Sequence, residues 1–262
     1  MKVNRLTTNE YWNQKYGSSS TNSLTTSGFH GFTNKQFLEQ ISSIGLNQKS
    51  IIEIGAGGSQ WLPYLAKHYP DCSFTGLDYA EAGCKELKER ADIAKVNITT
   101  VKADLFEPPE ELIGKFDILI SFGVVEHFDD LAETMKALTV YLKPGGSIFT
   151  LIPNMNGTVG YLTQKLNKDV YDLHNPHDLK SLKIGHETGG NVIKKANYIC
   201  STDYGVLSAC INEKSTYPAK FIYLWLSRFT KLISIFELKL FRFPVSRTFS
   251  PYIYCIAEKK SL

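Results

Sequence analysis

The sequence predicts an α/β protein with a doubly wound, mostly parallel sheet, and two observations support that prediction. Residues 51–54 form a short apolar run that breaks into a glycine-rich stretch, 55–58, as expected of a buried strand, a tight turn and the start of a helix. Beyond this stretch, strand-like and helix-like segments alternate as far as residue 154. Such alternation is typical of parallel strands joined by right-handed helical crossovers.

Composition limits the classes of function. The chain has 262 residues, enough for one large domain, and its formal net charge is +3 without a long basic run. We therefore expect no nucleic-acid partner. The five cysteines form no Cys-x-x-Cys pair or zinc spacing, which predicts no metal site. Scattered thiols, no secretory signal and no apolar stretch of about 18 residues predict a cytoplasmic protein without a membrane span.

The predicted domain has four parts. Residues 1–46 carry two cover helices, and residues 47–154 form the core. Residues 155–200 form an inserted lid. Within it we expect a long polar loop at 155–180 and a helix from about 177 to 196, so the two predicted ranges share a few residues. Residues 201–262 supply the final strands with an amphipathic helical insertion. The expected strands are 51–54, 72–77, 98–102, 116–121, 147–152, 201–209 and 251–258.

The glycine-rich stretch predicts a binding site for a nucleotide-like ligand. Glycines let the backbone turn sharply and approach a ligand closely, at the carboxyl end of a strand where open α/β sheets bind ligands. Gln60 occupies the third glycine position of a dinucleotide fingerprint, and no Gly-Lys-Ser/Thr motif is present. Glu53, at the end of the first strand, suits a ligand that carries positive charge. A dehydrogenase is therefore the weaker alternative.

Acidic residues come at the ends of the first three strands. Glu53, Asp78 and Asp104 should share one edge of the sheet because the carboxyl ends of parallel strands meet there. Three carboxylates repel a phosphate, but they can accept hydrogen bonds from ribose hydroxyls and an adenine amine. Tyr79 and Leu105 flank the acids and can sandwich a purine. The pattern indicates a ligand with a ribose, an adenine and a cation.

The chain resembles the class I S-adenosylmethionine-dependent methyltransferases, over about residues 48–154. The resemblance implies a Rossmann-like sheet of seven strands with an antiparallel last strand, and S-adenosyl-L-methionine as cofactor. An N-terminal helix around Tyr11 resembles the cover helix of small-molecule members. The motifs that carry the resemblance are Glu53-Ile-Gly-Ala-Gly57, Asp78-Tyr79, Ala103-Asp104-Leu105, Phe116-Asp117, Val125-Glu126-His127-Phe128 and Leu142-Lys-Pro-Gly-Gly146.

The resemblance also assigns cofactor contacts. Gly55 and Gly57 contact the methionine part, Asp78 binds the ribose, Asp104 with Leu105 binds the adenine, and the end of the fourth strand borders the sulfonium. The expected cofactor-binding residues are Tyr11, Tyr16, Glu53, Gly55, Ala56, Gly57, Asp78, Tyr79, Asp104, Leu105, Ser121, Phe122 and Gly123.

His127 is the candidate catalytic base. It follows the fourth strand, near the expected position of the methyl group, and an unperturbed histidine pKa near 6.5 suits a base at neutral pH. The alternative is a histidine that only caps a helix or packs beneath the cofactor. The expected substrate-binding residues are His30, Asn154, His174 and His177.

The acceptor is expected to be a small molecule, methylated on oxygen. Residues 121–124 read Ser-Phe-Gly-Val, unlike the Asn/Asp-Pro-Pro-Tyr/Phe of nucleobase-amine methyltransferases. A sugar or nucleotide-linked metabolite of glycan or natural-product biosynthesis is the leading candidate. The alternatives are a quinone or phenol precursor methylated at a membrane surface, and a catalytically silent S-adenosylmethionine-binding module.

Residues 218–243 combine dense aromatic and aliphatic residues with several lysines and arginines. Such a segment can lie on a membrane surface or build a homodimer interface. It can equally be a helix that packs against the open face of the sheet. The sequence leaves these three options open.

Overall fold

The computed structural model describes residues 3–16, 24–213 and 215–261. Seven strands form a sheet in the order β3-β2-β1-β4-β5-β7-β6, and β7 runs antiparallel to both of its neighbours. The predicted seven-stranded α/β fold with an antiparallel last strand is confirmed. The strands are β1 Ser50–Ile54, β2 Ser73–Asp78, β3 Thr99–Lys102, β4 Phe116–Phe122, β5 Leu142–Pro153, β6 Asn191–Ile199 and β7 Tyr252–Lys259.

Helices cover both faces of the sheet. They are α1 Asn9–Lys15, α2 Phe32–Ser42, α3 Trp61–His68, α4 Glu81–Ala94, α5 Leu131–Val140, α6 Thr158–Leu166, α7 Lys168–Asp172, α8 Leu179–Thr188 and α9 Tyr217–Lys239. On one face, Met135 and Leu138 of α5 join Leu182 of α8 in a buried cluster. On the other face, Ile41 of α2 packs with Leu65 of α3. Because both faces are covered, β1 is buried at four of its five positions, three of which are isoleucines.

The strand order creates a crevice between β1 and β4. The chain builds β1, β2 and β3 outward in one direction and then returns to place β4 on the other side of β1. Ligands bind open α/β sheets outside the carboxyl ends of the strands, at the point where the strand order reverses. The ends of β1 and β4, at Ile54 and Ser121, are paired in register there.

The predicted loop at 155–180 is partly wrong, because this stretch contains α6 and α7. Val159 of α6 is buried against Leu207, and Leu162 and Leu166 pack at the edge of the same cluster. The Asn167 side chain caps α7 by accepting a hydrogen bond from the Val170 N–H. Tertiary contacts and a local cap thus stabilise two short helices that a polar composition does not reveal.

The predicted helix at 177–196 is correct only in its first half. Helix α8 ends at Thr188 because Gly189 and Gly190 follow, and Gly190 has φ +92, a value that favours glycine. The chain then enters β6 at Asn191. This strand takes the place of the sixth strand predicted at 201–209, where the structure has a 3₁₀ helix, Tyr204–Cys210, with Asp203 capping its start.

Candidate active site

A cavity of about 490 Å³ opens at the carboxyl ends of β1, β2 and β4, beneath the N-terminal segment. The strand ends supply most of its acidic and glycine residues, and α1 supplies aromatic side chains. The lining residues are Arg5, Thr7, Trp12, Tyr16, Leu24, Asn34, Glu53, Ile54, Gly55, Gly57, Gly58, Ser59, Gln60, Trp61, Leu77, Asp78, Tyr79, Ala103, Asp104, Leu105, Phe122, Gly123, Val124, His127 and Phe128.

The turn after β1 is held by backbone bonds and by Ser59. The N–H groups of Gly55 and Ala56 both donate to the Leu77 carbonyl, which fixes the turn against β2. The Ser59 hydroxyl accepts from the Trp61 and Leu62 N–H groups, which satisfies two backbone donors at the start of α3. A Cβ at Gly57 would lie 2.5 Å from the Tyr16 ring, so only glycine fits this close approach.

Glu53 lies buried at the end of β1, with 3% of its surface exposed. Its Oε2 accepts a hydrogen bond of 2.7 Å from the Ser59 hydroxyl. Burial raises the pKa of the Glu53 carboxyl to about 8, so the group carries a proton at pH 7 unless a cation lies beside it. A buried carboxyl of this kind favours a cationic ligand.

Asp78 lies at the end of β2 and accepts hydrogen bonds at both oxygens. Its Oδ2 lies 2.8 Å from the Gly57 nitrogen and its Oδ1 lies 2.7 Å from the Ala80 nitrogen. The Tyr16 hydroxyl also bonds this carboxylate. Burial raises the pKa of Asp78, and these hydrogen bonds oppose that shift.

Asp104 follows β3 and pairs with Arg5 of the N-terminal segment. The Arg5 guanidinium lies 5.1 Å from the centre of the Tyr79 ring and also near Phe106 and Phe128. Sequence reasoning missed Arg5, because 99 residues separate it from Asp104 and no motif contains it. The chain therefore places a guanidinium beside the aromatic ring and the acid predicted to bind an adenine.

These three acids fit the cofactor that the sequence implies. The chain already presents hydrogen-bond donors to two of them, the Tyr16 hydroxyl at Asp78 and the Arg5 guanidinium at Asp104. Ribose hydroxyls and an exocyclic amine are donors of the same kind. The buried Glu53 favours positive charge nearby. The arrangement suits a ligand with hydroxyls, an amine and a cation, which S-adenosylmethionine combines.

His127 lines the cavity just beyond the end of β4, in a 3₁₀ turn, Val125–His127. Its Nδ1 lies 2.6 Å from the Leu173 carbonyl oxygen, so Nδ1 donates and Nε2 keeps the lone pair. Burial, together with the neighbouring His174, lowers the pKa of His127 to about 4, although the carbonyls of Leu173 and Gly123 favour the charged form. The imidazole is therefore neutral at pH 7.

Two further titratable groups surround His127. The His174 ring centre lies 4.8 Å from that of His127, and its Nδ1 donates to the Val170 carbonyl at 2.7 Å. Glu126 is 1% exposed, and burial raises its pKa to about 8. The candidate ligand atoms of these three residues lie within 4.8 Å of one another, a donor set of the kind that holds a divalent ion. The sequence did not reveal this cluster because His174 comes from the segment after β5.

The structure brings most of the predicted site residues to this cavity, but not all of them. Ala56 and Ser121 are fully buried behind the lining, and Tyr11 packs edge-to-face on Trp12. Asn154 is also fully buried, and its Nδ2 donates to the carbonyls of Arg247 and Ser250, so it anchors the segment before β7. The predicted residues that line the cavity are Tyr16, Glu53, Gly55, Gly57, Asp78, Tyr79, Asp104, Leu105, Phe122, Gly123 and His127.

The predicted substrate residues fall in two other places. His174 packs on His127, and His177 lies in the same segment, half-buried, with its Nε2 unpaired among the described residues. His30 lines a second cavity, of about 570 Å³, which shares Asn34 and Gln60 with the first. The remaining residues of the second cavity are Phe29, Thr33, Phe37, Asp203, Gly205, Val206, Ser208, Ser227, Thr230, Lys231, Ser234 and Tyr252.

Comparisons with known proteins identify similar methyltransferases. Residues 52–148 match the family model described as a methyltransferase domain. The chain is 28% identical over 163 residues to a ubiquinone biosynthesis O-methyltransferase of Acinetobacter baylyi, a match that covers 55% of this chain and 68% of that protein. It is also 28% identical over 138 residues to a protein of the same name from Pseudomonas aeruginosa, with 49% and 58% covered. The matches thus span about two thirds of the first relative and about three fifths of the second.

Solved structures share the fold at low sequence identity. A geranyl diphosphate C-methyltransferase from Streptomyces coelicolor superposes with a TM-score of 0.59 at 12% identity, covering 88% of this chain and 80% of that one. A phosphoethanolamine N-methyltransferase of Haemonchus contortus, in complex with S-adenosyl-L-methionine, gives a TM-score of 0.59 at 14% identity, covering 93% and 61%. Proteins named for transfer to carbon and to nitrogen share this fold, so the fold alone does not determine the accepting atom.

Proposed function

The chain is a class I S-adenosylmethionine-dependent methyltransferase, and from that premise we propose that it methylates an oxygen atom of a small-molecule acceptor. The observation that carries the proposal is His127, a neutral imidazole that lines the same cavity as the three carboxylates. A hydroxyl acceptor must lose its proton, and a positioned base typically contributes 10²–10⁴-fold to such a step. The O-methyltransferase names of the two relatives described above support oxygen as the accepting atom.

The chain's own residues bind and orient the reactants. Asp78 and Asp104 would accept hydrogen bonds from the adenosyl part of the cofactor, and Glu53 would balance its positive charge. The cofactor supplies a methyl group already activated by the sulfonium. Trp12 and Tyr16 close the cavity from the N-terminal side and exclude water. Holding the acceptor in line at contact distance can contribute roughly 7–11 kcal/mol to lowering the barrier.

His127 then accepts the proton. The bond from its Nδ1–H to the Leu173 carbonyl fixes the ring, and Nε2 would take the proton of the acceptor hydroxyl. A base with a pKa of about 4 is weak, so proton transfer occurs late, when the oxygen has become acidic through bond formation. His174, beside His127, stays neutral because burial lowers its pKa.

The acceptor places its reacting hydroxyl beside His127 in the first cavity, and the rest of the molecule binds in the second cavity. This cavity adjoins the first at Asn34 and Gln60, and its walls include the rings of Phe29, Phe37 and Tyr252. Aromatic walls bind the flat face of a phenol or the apolar face of a sugar. A sugar or nucleotide-linked acceptor and a phenol or quinone precursor both suit such walls, and the names of the relatives favour the phenolic class.

Transfer of a labelled methyl group tests the proposal. The protein is incubated with methyl-labelled cofactor and matched panels of phenols, sugars, nucleotide sugars and primary amines, and the product is identified by NMR. The expected product is a methyl ether, and it is strongly reduced in His127→Ala. A label on nitrogen or carbon would contradict oxygen as the acceptor. Loss of activity with a chelator and its return with a divalent ion would show that His127 holds a metal instead.

A further inference from the structure

Helix α9 exposes most of its large apolar side chains, although Tyr223 and Leu226 pack against a buried cluster of the chain. Its buried positions are Thr230, Ser234 and Glu237. Its exposed positions include Trp225, at 57% exposure, and Leu232, at 66%. A surface helix of a globular protein normally shows the reverse pattern, with its apolar stripe facing the core. The exposed apolar side chains of α9 therefore have no cover within the described part of the chain.

The exposed stripe is continuous. The residues at helical spacing along it are Phe221, Trp225, Phe229, Leu232 and Phe236. Exposed apolar side chains continue past the end of the helix as Leu240, Phe241, Val245 and Phe249. We refer to these nine residues as the α9 face. Apolar patches of this extent on a protein surface mark sites of interaction with a partner or a membrane.

The charges around the α9 face have one sign. Residues 217–249 contain six cations, Lys220, Arg228, Lys231, Lys239, Arg242 and Arg247, and a single acid, Glu237. That acid is buried and accepts hydrogen bonds from the Ser201 hydroxyl and the Phe243 N–H. Every exposed charge within residues 217–249 is therefore positive. An occupant of this face must be apolar at its centre and negatively charged around it.

From these two observations we propose that the α9 face binds the surface of a bilayer that contains anionic phospholipids. Aromatic and aliphatic side chains enter the boundary between headgroups and acyl chains, while lysines and arginines contact the lipid phosphates. The helix lies along the surface: none of the helices in the described part of the chain combines the length and hydrophobicity needed to cross a membrane.

Charge argues against a second copy of the chain as the occupant. A two-fold dimer places the same patch on both partners, so it would bring the cations of one α9 against those of the other. Ion pairs within the described part of the chain neutralise only some of these cations, so the repulsion between two copies remains. Arg242 pairs with Glu39 and Arg247 lies 3.8 Å from Asp178, while Arg228 and Lys231 have no acidic partner in the described part of the chain. An anionic surface removes the repulsion and a second copy increases it.

This inference does not depend on the identity of the acceptor, but it bears on access to it. Ser227, Thr230 and Ser234, from the inner side of α9, line the second cavity. A protein held at a bilayer by the outer side of α9 would therefore keep that cavity close to the lipid surface.

Vesicle co-sedimentation of the full chain tests the proposal. The vesicles contain phosphatidylcholine alone or with about one third phosphatidylglycerol, at low and at high salt. We expect at least about tenfold stronger binding to the anionic vesicles, with loss of that advantage at high salt because screening weakens the contacts of the cations. Equal binding to both lipids, or no binding to anionic vesicles, would overturn the proposal.

Paired variants separate the α9 face from the rest of the surface. Trp225→Ser with Leu232→Ser, and separately Arg228→Glu with Lys231→Glu, should each weaken binding to anionic vesicles at least tenfold. The controls are Ile93→Ser, a 63% exposed isoleucine on α4, and Lys85→Glu with Lys88→Glu on the same helix. These controls should bind like the original protein. Circular dichroism and thermal unfolding establish that each variant is folded.

Fluorescence gives a test that needs no disruptive variant. Brominated phospholipids quench a tryptophan that enters the bilayer, and Trp12 and Trp61 line the first cavity. Quenching should therefore appear with the original protein and disappear in Trp225→Phe. Quenching that persists in Trp225→Phe would overturn the proposal. A second outcome would also overturn it. If the protein does not bind vesicles but forms a dimer in light scattering, and Trp225→Ser with Leu232→Ser dissociates that dimer, the α9 face binds a second copy of the chain.

Discussion

The cavity combines ionisable side chains whose environments shift their protonation in different directions. Glu53 is buried and holds its proton to a pH of about 8, whereas His127 stays neutral down to about pH 4. Both shifts come first from burial, which disfavours the charged form of an acid and of a base alike. At pH 7 neither group is charged, although Glu53 lies at the end of β1, beside the expected site of a cation.

Glu53 should release a proton when the cofactor binds. A positive charge of the bound cofactor near Glu53 would favour the carboxylate and lower its pKa, so the proton that it carries at pH 7 would leave. Calorimetric titration in buffers of different ionisation enthalpy should detect this release. Glu53→Gln should remove the released proton and weaken binding. Identical proton release in Glu53→Gln would show that the proton comes from another group.

His127→Ala should lower turnover at least tenfold with little change in cofactor affinity, because it removes a base without touching the three acids. His68→Ala, on the exposed end of α3, is the matched control and should leave turnover unchanged.

In the original protein, turnover should stay level as the pH falls through 6.5 and decline only towards pH 4, where His127 becomes protonated. A decline centred near pH 6.5 would contradict the buried, neutral imidazole.

At the scale of single elements, caps and turns place the site. Ser59 joins the end of β1 to the start of α3 by bonding Glu53 and two backbone N–H groups. Asp130 caps α5, where its carboxylate accepts from the Glu133 N–H at 3.0 Å. The helix it starts packs Met135 and Leu138 against the sheet under β4. The turn that carries His127 lies directly before this cap.

Asp130→Ala should destabilise the fold by about 1 kcal/mol, the usual effect of removing a helix cap. Urea unfolding with a constant slope measures this difference, and Asp92→Ala, an exposed aspartate in the last turn of α4, provides the control. The control should lie within about 0.5 kcal/mol of the original protein. Equal stabilities for the two variants would mean that the Asp130 cap does not stabilise α5.

At the scale of the whole molecule, buried ionisable groups couple stability to pH with opposite signs. His186 is fully buried with both ring nitrogens unpaired among the described residues, and burial lowers its pKa to about 3. As the pH falls below about 6.5, the unfolded chain takes up a proton that the native His186 does not, so this residue destabilises the fold. Glu53 and Glu126 have raised pKa values, so the native chain binds protons that the unfolded chain does not. Their contribution therefore makes the fold more stable as the pH falls over the same range.

A substitution isolates the contribution of His186. His186→Leu removes the group that resists protonation, so the stability of this variant relative to the original protein should improve between pH 7 and pH 5. The expected improvement is on the order of 1–2 kcal/mol, since one suppressed proton over this interval contributes about that much. Urea unfolding at both pH values measures it. A relative stability that does not change with pH would mean that His186 is protonated in the native state.

The sequence predicted the core of this fold because its signals are local. The β1 run, its glycine turn and the acids Glu53, Asp78 and Asp104 follow one another in a fixed order, and parallel strands bring them to one edge. The later elements depended on distant contacts. Strand β6 forms because β7, more than 50 residues later, pairs along its full length. No local pattern distinguishes it from the end of a helix.

The same difference between local and distant signals decides which site residues the sequence predicts and which it misses. Residues on the strand ends line the cavity, whereas Arg5 lines it through its contact with a distant acid, and His174, predicted at the substrate, packs on His127 outside the lining. Asn154, expected at the substrate, instead bonds the chain before β7. The exposed side of α9 could not be assigned from composition, because only the burial of Thr230, Ser234 and Glu237 shows which side faces outward.

Calorimetric titration with S-adenosylmethionine tests the central claim most directly. The original protein should bind one molecule of S-adenosylmethionine and should give no heat with NADH. Asp78→Asn should weaken that binding roughly 10–100-fold, because a charge-assisted hydrogen bond contributes about 1.5–3 kcal/mol, while Asp71→Ala outside the cavity should not. Binding of NADH in preference to S-adenosylmethionine, or an unchanged affinity in Asp78→Asn, would contradict the account.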